Sequence, residues 1–181
     1  MIQDLCHGKA PDAEKATVEF SEFLRSNLDS LSADKPIPFA QELRHVHNYL
    51  ALERRRFGED LEVVYNIGPQ EFYLPALTLQ PIVENAVRYG VMQREEGGTL
   101  WISTEEGDGC DRIIVKDNGV GFDVNAPKAD GRTHIGIENV RNRLRQMCGG
   151  ELRIESVPGA GTTVILTIPK REEEENEDCG G

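Results

Sequence analysis

Apolar residues recur at every third or fourth position in four stretches of the chain, the spacing expected of amphipathic helices. This spacing predicts helices over residues 12–31, 39–57 and 79–89 and a fourth from Ile137 to Met147. Pro36 and Pro38 separate the first helix from the second, because proline removes a backbone donor and forces extended neighbours. Gly58 and Gly90 are expected to end the second and third helices, and Thr78 is the expected N-cap of the third.

Shorter stretches rich in β-branched residues are bounded by glycine and proline, a pattern typical of strands. The predicted strands cover residues 61–67, 99–104, 112–116, 151–156 and 162–168. Residues 105–109 are the expected hairpin loop between the second and third strands. Residues 119–135 have no periodicity and are rich in Gly, Pro, Asp and Asn, so we expect a long functional loop. This order predicts an α+β fold, a two-layer α/β sandwich in which helices cover one face of a mixed sheet, preceded by a helical arm.

Composition and charge restrict the class of protein. The 181 residues contain 20 Lys and Arg against 32 Asp and Glu, a net charge of −12 that argues against nucleic-acid binding. Residues 171–181 are expected to be a disordered acidic tail, because they carry six acids and one base. No apolar run approaches the ~18 residues needed to cross a bilayer, so we expect no membrane contact by this chain. Four widely spaced cysteines indicate neither a disulfide framework nor a zinc site, which suits the cytosol.

Polar residues of the predicted third helix form the first candidate site. Asn85, Arg88 and Tyr89 lie three and four positions apart and therefore share a helix face. The amide oxygen of Asn85 is a neutral hard ligand suited to Mg²⁺, and an arginine nearby can neutralise phosphate charge. A solvated helix face with a Glu84–Arg88 ion pair would explain the same residues, so this helix does not decide the question alone.

The second candidate site is the point where a strand ends in a carboxylate. Asp117 leads directly into a turn that contains Gly119 and Gly121. An ionised carboxylate only accepts hydrogen bonds and can receive the exocyclic amino group of adenine, while the glycines would let a ligand approach the backbone. The same Asp-Asn-Gly sequence is a strong hairpin-turn signal. However, an irregular stretch follows where a hairpin would need a strand, and this favours a binding site.

Two further glycine-bearing segments complete the pattern. The long loop runs through His134 and Gly136 into the predicted fourth helix, whose free N–H groups suit phosphate, and Arg143 on that helix could supplement them. Gly161 and Thr162 lie at the start of the last predicted strand, where plain turn chemistry explains them equally well. A nucleotide is favoured because all four segments occur together. No P-loop sequence is present.

In this order, the four segments resemble the ATP-binding domain of sensor histidine kinases and of their gyrase, chaperone and mismatch-repair relatives. The closer resemblance is to bacterial sensor histidine kinases of the LytS/YesM type, and it covers residues from about 12 to 170. Three stretches carry it: 49–57, 79–87 and 136–144.

The resemblance implies a role for each candidate residue. Asn85 would ligate a Mg²⁺ ion that bridges the ATP phosphates, with Arg88 and Tyr89 beside them, and Asp117 would accept from adenine N6. The other implied nucleotide-binding positions are the pocket glycines Gly119 and Gly121, a mobile ATP lid over 122–135 that includes His134, the hinge Gly136, Arg143 near the phosphates, and Gly161 and Thr162 at the adenine end.

The sequence departs from the family pattern at two positions. Pro81 stands where many relatives carry an acid or Asn four residues before the Mg²⁺ ligand. Glu84, the nearest carboxylate, is therefore the hypothesis for the catalytic acid–base residue. His134 stands where many relatives have the first glycine of the lid.

The resemblance also implies an organisation and a function. Residues 1–58 would be a helical arm left from a dimerisation hairpin, residues 59–170 the ATP-binding catalytic domain, and residues 171–181 the tail. The function implied is that of a two-component sensor histidine kinase, which transfers the γ-phosphoryl group of ATP to a histidine. Its partners would be a cognate response regulator and, in the full-length protein, a second copy, with the chain as the cytosolic portion of a membrane-anchored sensor.

None of the four histidines lies in a His-Phe-x-x-Asn-type phosphoacceptor box. We therefore expect the chain to phosphorylate a supplied acceptor but not to label itself. Three alternatives stay open at this stage: a serine/threonine kinase on the same fold, an ATP hydrolase, and a degenerate nucleotide-binding module without activity.

Overall fold

The computed structural model describes residues 35–124 and 135–170. The predicted helix at 12–31, most of the predicted lid with His134, and the acidic tail lie outside the described residues. In chain order the elements are β1 (Ile37–Pro38), α1 (Phe39–Phe57), β2 (Leu61–Asn66), β3 (Tyr73–Leu74), α2 (Leu79–Asn85), β4 (Gly98–Gly107), β5 (Cys110–Asp117), α3 (Ile135–Cys148), β6 (Glu151–Val157) and β7 (Gly161–Pro169).

Five strands form the main sheet in the order β2-β4-β5-β7-β6. The β2–β4 pair is parallel and the other three pairs are antiparallel, so the sheet is mixed, as predicted. The hairpin between β4 and β5 is tighter than predicted, because the two strands stay paired as far as Gly107 and Cys110. Gly109 makes this short turn possible with a φ of +69°, a conformation that favours glycine.

All three described α-helices contribute to one hydrophobic core on a single face of this sheet. The buried apolar side chains of the helices are Phe39, Leu43, Val46, Tyr49 and Leu50 of α1, Leu79, Ile82 and Val83 of α2, and Ile137, Val140 and Leu144 of α3. Alternate strand residues such as Leu100, Ile102 and Ile113 meet them, as expected of strands with one covered face. Residues 39–57 therefore pack as part of the same unit as the sheet, while the division of the chain at residue 58 stays a prediction.

A second, two-stranded sheet was not predicted and lies where the prolines indicated only a break. β1 pairs antiparallel with β3, with Ile37 opposite Leu74. The rings of Phe39 and Phe72 stack with their centroids 4.7 Å apart, and the Phe39 amide donates to the Phe72 carbonyl at 2.9 Å. These contacts fix the start of α1 against the segment that leads into α2.

The start of α2 differs from the prediction that the Thr78 hydroxyl would cap it. Thr78 occupies the N-cap position, but its hydroxyl donates to the Pro75 carbonyl at 2.5 Å and caps no helix amide. The free amides at this helix start are bound by the carboxylate of Glu42, which belongs to α1. The cap therefore comes from a residue 36 positions earlier in the chain.

Candidate functional site

The helix that carries the first candidate residues changes its winding at their position. After Asn85, the chain continues as a π-helical turn, Ala86–Gly90, in which each backbone bond spans five residues instead of four. Val87 is fully buried and holds this turn to the core, whereas Asn85 is half-buried and Arg88 and Tyr89 are exposed. The Arg88 guanidinium carbon lies 5.5 Å from the centroid of the Tyr89 ring. A π-turn often marks a functional site, because it re-aims side chains within a helix.

Asp117 is a buried carboxylate at the end of β5, with an exposed fraction of only 2%. The Gly119 amide donates to its Oδ1 at 2.8 Å, and the backbone amide of Thr162 also binds the carboxylate. Burial raises the pKa of Asp117, and the two backbone bonds oppose that rise in pKa. Two amide bonds leave acceptor capacity on the two oxygens, so Asp117 can still receive a donor from a ligand.

The glycines around Asp117 are required because backbones meet there. A Cβ placed on Gly119 would lie 2.1 Å from the carbonyl carbon of Gly90, and one on Gly161 would lie 2.0 Å from the Asp117 carbonyl oxygen. A Cβ on Gly121 would lie 2.1 Å from the Val157 carbonyl oxygen. Neighbouring main chain therefore fills the space that a side chain would occupy, and the approach of a ligand to these glycines stays a prediction.

Two residues of this site were missed by sequence reasoning. Gly90, expected only to end a helix, brings its Cα against Asp117, since a Cβ there would lie 2.7 Å from Oδ1. The Ser156 hydroxyl accepts from the Phe122 amide at 2.9 Å, donates to the Gly161 carbonyl at 3.0 Å and lies 2.9 Å from the Thr162 hydroxyl. Ser156 faces Thr162 across the β6–β7 hairpin. The short turn between the two predicted strands could have indicated this pairing from the sequence.

Glu84, the hypothesis for an acid–base residue, faces α1. Its Oε1 accepts from Gln80 Nε2 at 2.7 Å. Burial is the main cause that raises the pKa of Tyr49, and the charges of Glu53 and Glu84 raise it further, so these carboxylates lie close to the phenol. The structure therefore places Glu84 at the α1–α2 interface, and its catalytic role stays a prediction.

Two residues of α3, Arg143 and Gly136, are predicted nucleotide-binding residues, and these roles stay predictions. The Arg143 Nη2 donates to the Leu77 carbonyl at 2.6 Å, and its Nε is buried with no hydrogen-bond partner in the described part of the chain. Gly136 was expected to be a hinge before the helix, but α3 begins at Ile135 and Gly136 lies inside its first turn. Among the described residues, a Cβ on Gly136 would meet no heavy atom within 4 Å.

The described residues hold no group of three or more His, Cys, Asp or Glu side chains that could bind a metal ion. The predicted set of ligands, the Asn85 amide oxygen together with oxygens of a bound molecule, stays a prediction. Mg²⁺ suits such a site, because it keeps several waters and is usually held by one or two protein oxygens plus phosphates. Separately, we find no helix within 35–124 and 135–170 that has the length and apolar character to cross a membrane.

Comparison with protein families gives two matches. Residues 75–172 match the family described as histidine kinase-, DNA gyrase B- and HSP90-like ATPases, and residues 1–61 match a histidine kinase family. The chain is also similar to the histidine kinase domain of the Erythrobacter litoralis EL346 blue-light activated histidine kinase, with a TM-score of 0.57 and 19% identity. This alignment covers 87% of the chain and 74% of that domain, and it confirms the predicted fold.

Three relatives bear on the predicted resemblance. Protein YwpD of Bacillus subtilis is 35% identical over 92% of the chain and 62% of its own length. The sensor histidine kinase YesM of Bacillus subtilis is 33% identical over 86% of the chain, and the sensor protein LytS of Bacillus anthracis is 31% identical over 97%. The names YesM and LytS confirm the predicted resemblance. The chain spans 28% of YesM and 32% of LytS.

Proposed function

Since the chain belongs to the histidine kinase-, DNA gyrase B- and HSP90-like ATPases, we propose that it binds ATP and transfers the γ-phosphoryl group to a histidine, as the catalytic part of a two-component sensor histidine kinase. The observation that carries this proposal is the buried Asp117 carboxylate, enclosed by the backbones of Gly90, Gly119 and Gly161. The buried carboxylate can accept a hydrogen bond from the exocyclic amino group of adenine, and the glycine backbones beside it can pack against the flat face of the ring.

Each site residue has a part in this proposal. Asp117 accepts from adenine N6, and Gly161 and Thr162 lie beside it at the adenine end. Asn85 supplies an oxygen ligand to Mg²⁺ at the phosphates, and Arg88, which is exposed near the end of the same helix, neutralises phosphate charge. The bound ion supplies the positive charge that the transferring phosphoryl group needs. Phosphoryl transfer depends mainly on positioning and charge neutralisation, so these residues suffice without covalent catalysis.

The partners and setting belong to the same proposal. We propose a cognate response regulator as the next phosphoryl acceptor and a homodimer in the full-length protein, to which relatives named sensor histidine kinases add the kinase class alone. A histidine kinase that uses ATP would work in the cytosol, here as the catalytic portion of a membrane-anchored sensor. Glu84 is proposed to assist the transfer as an acid–base residue once an acceptor histidine approaches the α1–α2 side.

Phosphoryl transfer is tested by joining the chain to an upstream helix that carries a His-Phe-x-x-Asn box and incubating it with γ-labelled ATP and Mg²⁺. We expect an acid-labile, base-stable label on the box histidine and none when that histidine is replaced by Gln. An acid-stable label would instead indicate a serine/threonine kinase, and release of free phosphate alone would indicate an ATP hydrolase. Binding of ATP with neither outcome would indicate a module without activity.

Acidification is expected to weaken nucleotide binding. This loss of affinity should occur at a higher pH than the pKa of an ordinary aspartate would predict. Only the ionised Asp117 offers all its lone pairs to adenine, and its pKa is raised by burial, so the carboxyl takes up its proton above the usual value of about 3.9. The stability of the fold is expected to change in the opposite direction. Burial disfavours the ionised carboxylate, so protonation of Asp117 at low pH removes that cost and raises the free energy of unfolding. Calorimetric titration of ADP between neutral pH and pH 4 measures the midpoint.

Asp117→Asn is the control for this titration, because its side chain keeps the shape but does not titrate. We expect ADP to bind this variant about 10–100-fold more weakly at neutral pH, the loss expected of one charge-assisted hydrogen bond. Its remaining affinity should lack the pH step of the Asp117 carboxyl and follow the protonation of the nucleotide, at adenine and at the terminal phosphate. Equal binding by the wild type and the variant at all pH values would remove Asp117 from the adenine site.

A further inference from the structure

The carboxylate of Glu42 holds the start of α2 from the neighbouring helix α1. Its side chain is 0% exposed. Oε1 accepts from the Leu77 amide at 2.8 Å, and Oε2 accepts from the amides of Thr78 and Leu79 at 3.0 and 2.9 Å. Amides at a helix start lack partners within the helix and carry the positive end of its dipole, so a carboxylate there is doubly favourable. This buried charge is therefore matched by three donors.

Leu77 has an unusual backbone conformation at this point. With a φ of +55°, it is the only non-glycine residue in the described ranges that adopts a left-handed conformation. That conformation costs roughly 1–2 kcal/mol for a residue with a Cβ, so surrounding contacts must hold it. Glu42 binds the Leu77 amide, and Arg143 of α3 binds its carbonyl at 2.6 Å. One strained residue thus links α1, α2 and α3.

The far end of the same helical segment contacts the adenine side of the site. Gly90 packs against Asp117 and Gly119, and Asn85 lies between that contact and the cap formed by Glu42. At 1.5 Å of rise per residue, Asn85 is about 9 Å from Leu79 along the helix. A shift at the start of α2 would therefore move Asn85, while Asp117 stays fixed in the centre of the sheet by its pairing with both neighbouring strands.

We propose that Glu42 is a positioning residue of the nucleotide site: by binding the first amide of α2 and the two amides before it, it places Asn85 where the metal and phosphates would be held. The role rests on the proposed nucleotide binding and adds a residue that touches neither ATP nor metal. It also makes α1 part of the site, since a rotation of α1 would reach Asn85 through this carboxylate. If the helix cap only added stability, its removal would not weaken binding of the phosphate end of the nucleotide more than binding of the adenine end.

The test compares the affinity for ADP with Mg²⁺ and with EDTA in the wild type and in Glu42→Gln. The Gln side chain keeps the volume but turns an amino group toward amides that need an acceptor. We expect the Mg²⁺-dependent gain in affinity to shrink at least fivefold, while the affinity in EDTA, set by Asp117, changes less than twofold. The ratio of the affinity with Mg²⁺ to the affinity with EDTA does not depend on the fraction of protein that is folded, since an unfolded population weakens both affinities equally.

Two further variants complete the test. Ile168→Ala removes a buried side chain at the end of β7 away from Thr162, so it lowers stability without touching α2, and its ratio should stay at the wild-type value. Glu42→Asp keeps the charge but shortens the reach, and it should lose part of the Mg²⁺-dependent gain even if Glu42→Gln does not fold.

The possible failures are distinct. If the Glu42 variants are less stable but keep the wild-type ratio of ADP affinity with Mg²⁺ to that with EDTA, the positioning role is overturned. The proposal of nucleotide binding would not be affected by this result. An equal loss of the ratio in Ile168→Ala would also overturn it, because general destabilisation would then explain the effect. Absence of any ADP binding by the wild type would overturn the proposed function itself.

Discussion

Gly119→Ala is expected to lower the free energy of unfolding by more than about 3 kcal/mol and to abolish nucleotide binding. The added methyl would lie 2.1 Å from the Gly90 carbonyl carbon and 2.4 Å from the Gly90 Cα and carbonyl oxygen. These are backbone atoms, so no side-chain rotation can relieve the clash, and either the π-turn or the loop after β5 must move. If the loop moves, Asp117 loses its Gly119 amide bond, and if the π-turn moves, Gly90 leaves its contact with Asp117. Urea unfolding and ADP titration of the same samples measure both effects.

Gly136→Ala is the matched control for this prediction. The same methyl group is added in the first turn of α3, where it meets no heavy atom of residues 35–124 and 135–170 within 4 Å. Alanine is the better helix former, so we expect no loss of stability and a gain of up to about 1 kcal/mol. If Gly119→Ala unfolded at the same urea concentration as the wild type, the close approach of Gly90 to the site would be wrong.

Phe39→Ala is expected to cost about 3–5 kcal/mol, the usual loss for a buried phenylalanine. Phe39 is 0% exposed, begins α1 and stacks on Phe72. Because α1 shares the core of the sheet, we expect helix and sheet to unfold together in a single transition at lower urea. Far-ultraviolet circular dichroism follows the helices, and fluorescence of the single tryptophan, Trp101 in β4, follows the sheet.

The control for Phe39→Ala is an aromatic residue of the same two-stranded sheet. Tyr73 is 57% exposed, so Tyr73→Ala should change the free energy of unfolding by only about 0.5 kcal/mol. A Phe39→Ala variant whose tryptophan transition stays at the wild-type midpoint while its helix signal is lost would contradict the shared core. It would favour the predicted arm as an independent unit instead.

Periodicity and turn residues were enough to predict the regular elements. The α1 helix begins and ends where the prolines and Gly58 indicated, and all five strands of the main sheet were found within two or three residues of their predicted ends. These signals are local, since they depend on residues one to four positions apart. The β1–β3 pair and the Glu42 cap could not be predicted, because each joins residues about 36 positions apart and neither has a sequence pattern of its own.

Only part of the candidate site could be predicted, because only its local motifs can be recognised in the sequence. Asp117 and the glycines after it form a local motif, and the structure places Gly161 and Thr162 beside them, but their function as ATP-binding residues came from the family resemblance. The reason for the glycines could not be read from the motif, since it lies in the backbones of Gly90 and Val157. The role of Arg143 near phosphate stays a prediction, and its hydrogen bond to the carbonyl of a strained Leu77 had no sequence signal because the two residues are 66 positions apart.

The backbone contacts around Asp117 have a consequence for inhibitors of such enzymes. A compound that fills the proposed adenine position would rest against peptide groups of residues 90, 119 and 161, whose shape does not change when side chains are exchanged. The common route to drug resistance, enlargement of a residue that lines the pocket, is closed at these three positions because any side chain there would collide with protein before it met the drug. If Asp117 accepts from adenine as proposed, its replacement would weaken the natural nucleotide together with the compound.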